Sequence, residues 1–387
     1  MKRLNLHRIW FVLAGSIAAI VMGGIKPANA ATIEVGVGEG HDFATIQAGI
    51  DTASDGDTIL VAPGEYVVTE PITFRGKAII VKSEAGPDVT IIWMGTPADT
   101  NRGSVVVFEN NETVESVLDG FTITGGRGSW WPSADKWGGG GIVFDASSGT
   151  VRNCAVVENT AKNGGGVLVF SGASPTLTDC TIRGNSAIGV TYGVDGYGGG
   201  LHCGISSSMT LTNCTITGNS AGRAGGGGHC WLNISLIMTD CAIMNNTAEL
   251  AGAGIVCDSG SAILTNCIIA RNTGVTWGGG LCSLFVDSSM TISNCTIWGN
   301  SATEAGGIGC YQGGLATVTN SIFWGNTATK GNEIYLEQYP TVFSITYSNI
   351  AGGQAGVRLD GGSKLDWGEG NIDADPLFAD PNNDDFH

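Results

Sequence analysis

Basic residues are scarce: 18 Lys and Arg stand against 35 Asp and Glu in 387 residues, a formal charge of −17. So few cations exclude the polyphosphate backbone of nucleic acid and anionic membrane as primary partners, and leave carboxylates available for calcium. Long apolar runs are missing beyond the first thirty residues, so no transmembrane segment is expected in the mature chain. CxxC pairs and Cys/His clusters with zinc spacing are also absent, although there are eleven cysteines. Helical periodicity is confined to one short stretch.

The first thirty residues combine a basic start (Lys2, Arg3, Arg8), an apolar stretch from Ile9 to Ile25, and Ala28-Asn29-Ala30. This is the pattern of a secretory signal peptide with an A-x-A cleavage site, and it predicts a secreted or cell-surface, outer-membrane-associated protein. Removing it takes away four basic residues and no acidic one, which moves the formal charge to −21.

Beyond it, one phrase recurs: Asn/Asp-Cys-x-Ile-x-x-Asn, around Cys154, Cys180, Cys214, Cys241, Cys267 and Cys295, and again as Asn320-Ser321-Ile322-Phe323-Trp324-Gly325-Asn326. Glycine runs follow the copies, as in 164–166, 198–200 and 225–228. Self-similarity at this period marks a solenoid, whose repeats bury their apolar faces only against each other. Within each phrase, Cys and the residue two later are apolar while their neighbours are mostly Thr, Asn, Asp or Ala, which is strand alternation. The fold predicted is all-β: a parallel β-helix of short strands, with a single domain over 31–370 and regular coils from about 117 to 350.

Cys203, Cys230, Cys257, Cys282 and Cys310 follow the glycine runs and predict a second ladder, so that all eleven cysteines stack as small apolar side chains inside the tube. Stacked cysteines would point in parallel and their number is odd, which argues against disulfides. Asn159, Asn185, Asn219, Asn246, Asn272, Asn300 and Asn326 predict an asparagine ladder, bonded rung to rung and suited to left-handed turns. Residues 42–53, with Phe43, Ile46 and Ile50 at helical spacing and Asp42 as N-cap, predict a capping helix over the open end. Residues 371–387 read as an acidic tail that begins a further C-terminal module.

The opening 42–50 and Gly56-Asp57-Thr58-Ile59-Leu60-Val61-Ala62-Pro63-Gly64-Glu65-Tyr66 resemble the entry of pectin-lyase-like right-handed parallel β-helix proteins. The Gly-Asn-Ser-Ala and Gly-Gly-Gly repeats are similar to those of bacterial polymorphic outer-membrane and other surface β-helix proteins. The resemblance implies export and a right-handed helix. Its pectate lyase branch would imply calcium held by acidic residues, with an Arg or Lys removing the proton next to a uronate carboxylate. No compact cluster of outward Asp meets that need, so no catalytic position is carried over.

The loops between the asparagine ladder and the glycine runs vary most, and predict the functional edge. They present Trp130, Trp131, Asp135 and Trp137, then Lys162, then Tyr192, Asp195 and Tyr197 on the longest insertion, then Arg223, Glu249, Trp277 and Glu304. Rings mixed with charges suit a polysaccharide or cell-surface glycan, with Trp130, Trp131, Trp137, Tyr192 and Tyr197 as stacking residues; the alternative is that the rings fold back over the glycine-rich edge. An enzyme on this edge, a calcium-dependent lyase, would use Lys162 or Arg223 as base and Asp135 and Asp195 as calcium ligands. Trp298 and Trp324 predict an outward aromatic pair on adjacent rungs. His202 and His229 read as solvent-facing strand residues. The reading that follows is an exported scaffold for polysaccharide binding or adhesion, with the lyase as alternative.

Overall fold

The computed structural model describes residues 30–132, 136–189, 195–337, 339, 341–381 and 385–386. The residues read above as a signal peptide, up to Asn29, and Asp135 and Tyr192 lie outside them. Among the described residues the chain winds into parallel sheets of thirteen, eleven, eleven and seven strands, plus a three-stranded antiparallel patch. A representative coil runs Ser208–Thr212 in sheet I, Thr215–Thr217 in sheet II, Ser220–Ala221 in sheet III and Gly228–Trp231 in sheet IV. Each strand pairs with its equivalent in the next coil, Ile182↔Ile216↔Ile243 for example. Sheet III, formed by a Ser or Thr and a small residue, Ala or Gly, after each ladder asparagine, is a fourth face where loop was expected.

Period-two alternation fills the tube. Ile182, Ile216, Ile243, Ile269 and Ile297 are fully buried in one row, and Phe74, Phe108 and Phe144 stack with centroids 4.5 and 4.6 Å apart in another. Each such side chain contributes about 1.5–3 kcal/mol by leaving water. The eleven cysteines are buried and free. The first ladder is as expected; the second is not. Register runs Cys203↔Cys230↔Cys257↔Ser283↔Cys310, so Cys282 stands one residue off and pairs with Val256 and Gly309 on the outer face. Ser283 takes the interior place, 2.8 Å from the Ser288 hydroxyl. The glycine-run spacing hides this slip, because one residue reverses the face.

The asparagine ladder is fully internal. Asn185 donates its backbone N–H and Nδ2–H to Asn219 Oδ1 at 2.9 and 3.0 Å, and Nδ2 also reaches Val156 O at 2.9 Å. The left-handed conformation falls elsewhere: on the Asn or Asp before each cysteine (Asn153, Asp179, Asn213, Asp240) and on the residue before each ladder asparagine, such as Glu158 at φ 54°. Short polar side chains tolerate that region, and in these corners they bond outward, Asn266 Nδ2 to Asp240 Oδ1 at 3.1 Å.

The capping helix spans Ile46–Thr52, later than expected, with Thr45 rather than Asp42 as N-cap, because Thr45 Oγ1 accepts the Ala48 N–H. Asp42 instead accepts the Glu34 N–H at 2.9 Å. Ile46 and Ile50 are buried over the first coil, and Gln47 pairs its side-chain amide with both backbone groups of Thr73, closing one sheet edge.

Candidate functional site

Sheet IV carries its apolar alternation on both faces. Its outward row, Val143, Leu168, His202, His229, Val256, Cys282, is buried as deeply as the core. The cover comes from the loops that precede each glycine run. Those loops turn sharply back onto the sheet because glycine allows coils to touch: a Cβ on Gly199 would lie 2.3 Å from Ser220 O.

On the coil with the longest insertion, this overhang places Tyr197 above the two histidines. The Tyr197 ring centroid is 4.5 Å from that of His229 and 6.2 Å from that of His202. The imidazoles stack on each other at 10° with their Nδ1 atoms 3.2 Å apart, within hydrogen-bonding distance, the tautomer deciding which ring donates. The histidines are therefore not solvent-facing: they are 1% and 2% exposed. The covering loop, which strand alternation does not reveal, is the reason.

Arg223 lies with Cζ 5.0 Å from the Tyr197 ring, and its backbone N–H donates to Gly196 O at 2.9 Å. Lys162 Nζ is 3.6 Å from Asp195 Oδ2, while Asn163 Nδ2 donates to Asp195 Oδ1 at 2.9 Å. Asp258 Oδ2 stands 3.9 Å from His229 Nε2. Burial pushes the Asp258 carboxyl up to about 6 against the pull of Arg223, and burial likewise raises the Tyr197 phenol. Lys162, Asp195, Tyr197 and Arg223 thus converge on one edge. Asp258 and Trp231 join them unannounced, Trp231 being paired in register with Asp258. Their strand position after Cys230 and Cys257 marks them as outward, which was the available signal.

Beside the histidines is a shallow apolar recess of about 20 Å³, lined by Trp131, Leu168, Phe170, His202, Gly204, Ile205 and Trp231. Trp131 folds back: it is 4% exposed, edge-on to Phe170 at 5.4 Å, with Arg102 above its ring. Trp130 and Trp137 pair across the antiparallel hairpin at 5.8 Å and are half-buried. Trp277 packs against Tyr311 at 5.6 Å, while Glu304 binds Lys330 at 2.6 Å. Of the two expected calcium ligands, Asp195 is taken up by an ammonium and an amide and Asp135 lies outside the described residues, among which no cluster of three metal-ligating groups occurs. Trp298 and Trp324 pair on the outer face of sheet II, where the C-terminal segment lies over Trp298. Among the described residues no helix is long and apolar enough to cross a membrane.

Residues 135–323 match the family described as right handed beta helix region. No curated protein matches the chain. Solved structures are similar to the chain at low identity. The Dettilon tailspike protein is 13% identical at a TM-score of 0.52, with 85% of this chain covered. The chain spans 64% of that tailspike. The GH87 α-1,3-glucanase catalytic unit of Streptomyces thermodiastaticus is 14% identical at 0.46, covering 90% of this chain and 71% of the enzyme. Polygalacturonase from Erwinia carotovora is 13% identical at 0.42, covering 90% and 98%. By its coil geometry this chain is a parallel β-helix repeat protein, and its residues 135–323 carry the match to the right handed beta helix family.

Proposed function

We propose that the protein is an exported scaffold that holds polysaccharide along the edge between sheets III and IV, as a surface ligand or adhesive contact. One observation carries this reading: the Tyr197 ring, fixed between the His202–His229 pair and Arg223, stands next to a recess walled by Trp131 and Trp231. A sugar would pack against the accessible part of that wall, Trp231 and the exposed Ile205, while its hydroxyls take polar partners at the rim. The cations at the rim are matched by carboxylates, Lys162 by Asp195 and Arg223 by nearby Asp258, on a chain of charge −17. That balance favours a neutral glycan over a polyuronate. It also weighs against the lyase, since Lys162 is tied to Asp195 and no cluster of three metal-ligating groups occurs among the described residues.

The test is incubation with polygalacturonate and alginate, with calcium and then EDTA, alongside retention of the protein on gels containing neutral polymers. Retention on a neutral polymer without unsaturated uronate product is expected. Calcium-dependent product that disappears in Lys162→Ala or Arg223→Ala would establish the lyase instead.

A further inference from the structure

Trp93 is the one tryptophan among the described residues that is exposed, at 40%, and it lies on a different flank from the Tyr197 edge. It stands in the outward row of sheet II, in register with Thr124 and Val157 and, further along the same row, with Trp298 and Trp324. One face of its indole rests on the next coil. A Cβ built on Gly125 would lie 2.2 Å from Cδ1 and Nε1 of the ring, and Gly125 has φ +77°, so both space and backbone demand glycine there. The ring is held flat by its floor, with the other face open.

Around that face is a recess of about 470 Å³, lined by Trp93, Gly125, Gly126, Arg127, Glu158 and Thr160, with Ile188 at the rim. Arg127 and Glu158 are exposed, and among the described residues neither forms an ion pair. A flat apolar surface thus sits beside uncommitted donors and acceptors, in a volume within the range of small-ligand sites.

The other end of the row shows what such a platform takes. Trp298 lies against Gly325 of the next coil, also at positive φ (+67°), where a Cβ would be 3.3 Å from Nε1. Its outer side is filled by Phe386, edge-on at 5.7 Å, with Arg271 Cζ 5.8 Å from the indole. The tryptophan-on-glycine arrangement at that end is covered by a ring of the chain itself; the one at Trp93 is open.

We propose that Trp93, Arg127 and Glu158 form a second carbohydrate subsite, in which a sugar ring stacks on the indole and its hydroxyls bond to the carboxylate and guanidinium. A sugar fits better than an aromatic side chain, because the recess that the ring lines also carries a guanidinium and a carboxylate able to hydrogen-bond. The subsite shares with the proposed function only the class of ligand, and none of its residues.

The experiment maps tryptophan oxidation by N-bromosuccinimide with mass spectrometry, in the presence of dextran, laminarin, polygalacturonate or alginate. It is run on the intact chain and on Tyr197→Ala. Trp93 should oxidise first when no polymer is present, and a retained polymer should protect it in both proteins. Trp93→Ala should weaken retention about fivefold and Trp93→Phe much less, as for one lost stacking contact. Oxidation of Trp93 at an unchanged rate with every retained polymer would overturn the subsite and leave the Tyr197 edge standing. Protection by a phenylalanine-containing peptide and by no polymer would make it a peptide platform. Retention of the intact chain by no polymer would overturn both readings.

Discussion

Asn326 ends its ladder on the carboxylate of Glu333, which accepts both the backbone N–H and the Nδ2–H of that asparagine. In the preceding coils the place of Glu333 is held by glycine, as at Gly307, Gly280 and Gly254, where a Cβ would crowd the Nδ2 of the next asparagine. In the coil after Asn326 the ladder has no asparagine to offer, and Glu333 is 4% exposed in the room so created.

Burial pushes the Glu333 carboxyl up to about 7. The folded chain therefore holds this proton more tightly than the unfolded one, and its stabilising contribution, complete below the usual glutamate range, is lost as the pH rises towards 7. The loss amounts to about 3 kcal/mol on the last coils. Hydrogen-exchange protection factors over residues 322–359, with the intrinsic base catalysis divided out, should fall between pH 5 and pH 8 in the intact chain and much less in Glu333→Gln. Equal slopes in the two proteins would contradict this.

Asn219→Ala removes the acceptor of the Asn185 N–H and Nδ2–H and the donor to Ile182 O and Asn246 Oδ1, all inside the tube. Leaving these groups unpaired should cost about 3 kcal/mol. In urea unfolding the variant's midpoint should fall, with exchange quickening first at the Asn185 amide; an unchanged midpoint would show the ladder to be dispensable.

The coils were legible in the sequence because a period-two pattern repeated at near-constant spacing leaves one arrangement that buries Ile182, Ile216 and Ile243 together. What escaped depends on contacts between segments without that period. The Cys282 slip, the Tyr197 overhang that buries His202 and His229, and the replacement of a glycine by Glu333 are each one residue or one loop deep. Trp93 shares its row with Trp298 and Trp324, yet only register, not the repeated phrase, connects them.

The cysteines should be unreactive while the chain is folded. Burial pushes the thiols of Cys203, Cys257 and Cys310 up to about 12, and all eleven cysteines are enclosed. A thiol reagent at pH 8 should label none in the native protein and eleven in denaturant, even without reductant. Fewer labels in denaturant would reveal disulfides.

Phe386 covers Trp298, and Pro381 O accepts from Arg271 Nη1 at 2.9 Å, so the C-terminal segment is fastened across sheet II. Phe386→Ala should raise the acrylamide quenching of tryptophan emission, and Trp298→Phe should abolish that rise. Quenching that does not change would mean that the segment leaves Trp298 uncovered in solution.

The central claim, that the edge around Tyr197 holds polysaccharide, is tested most directly by affinity electrophoresis through gels with increasing dextran or laminarin. The intact chain should be retarded by at least one polymer, and Tyr197→Ala, with an unchanged unfolding midpoint, should bind it about fivefold more weakly. Retardation identical in the two proteins, or none of the intact chain by any polymer, would contradict the claim.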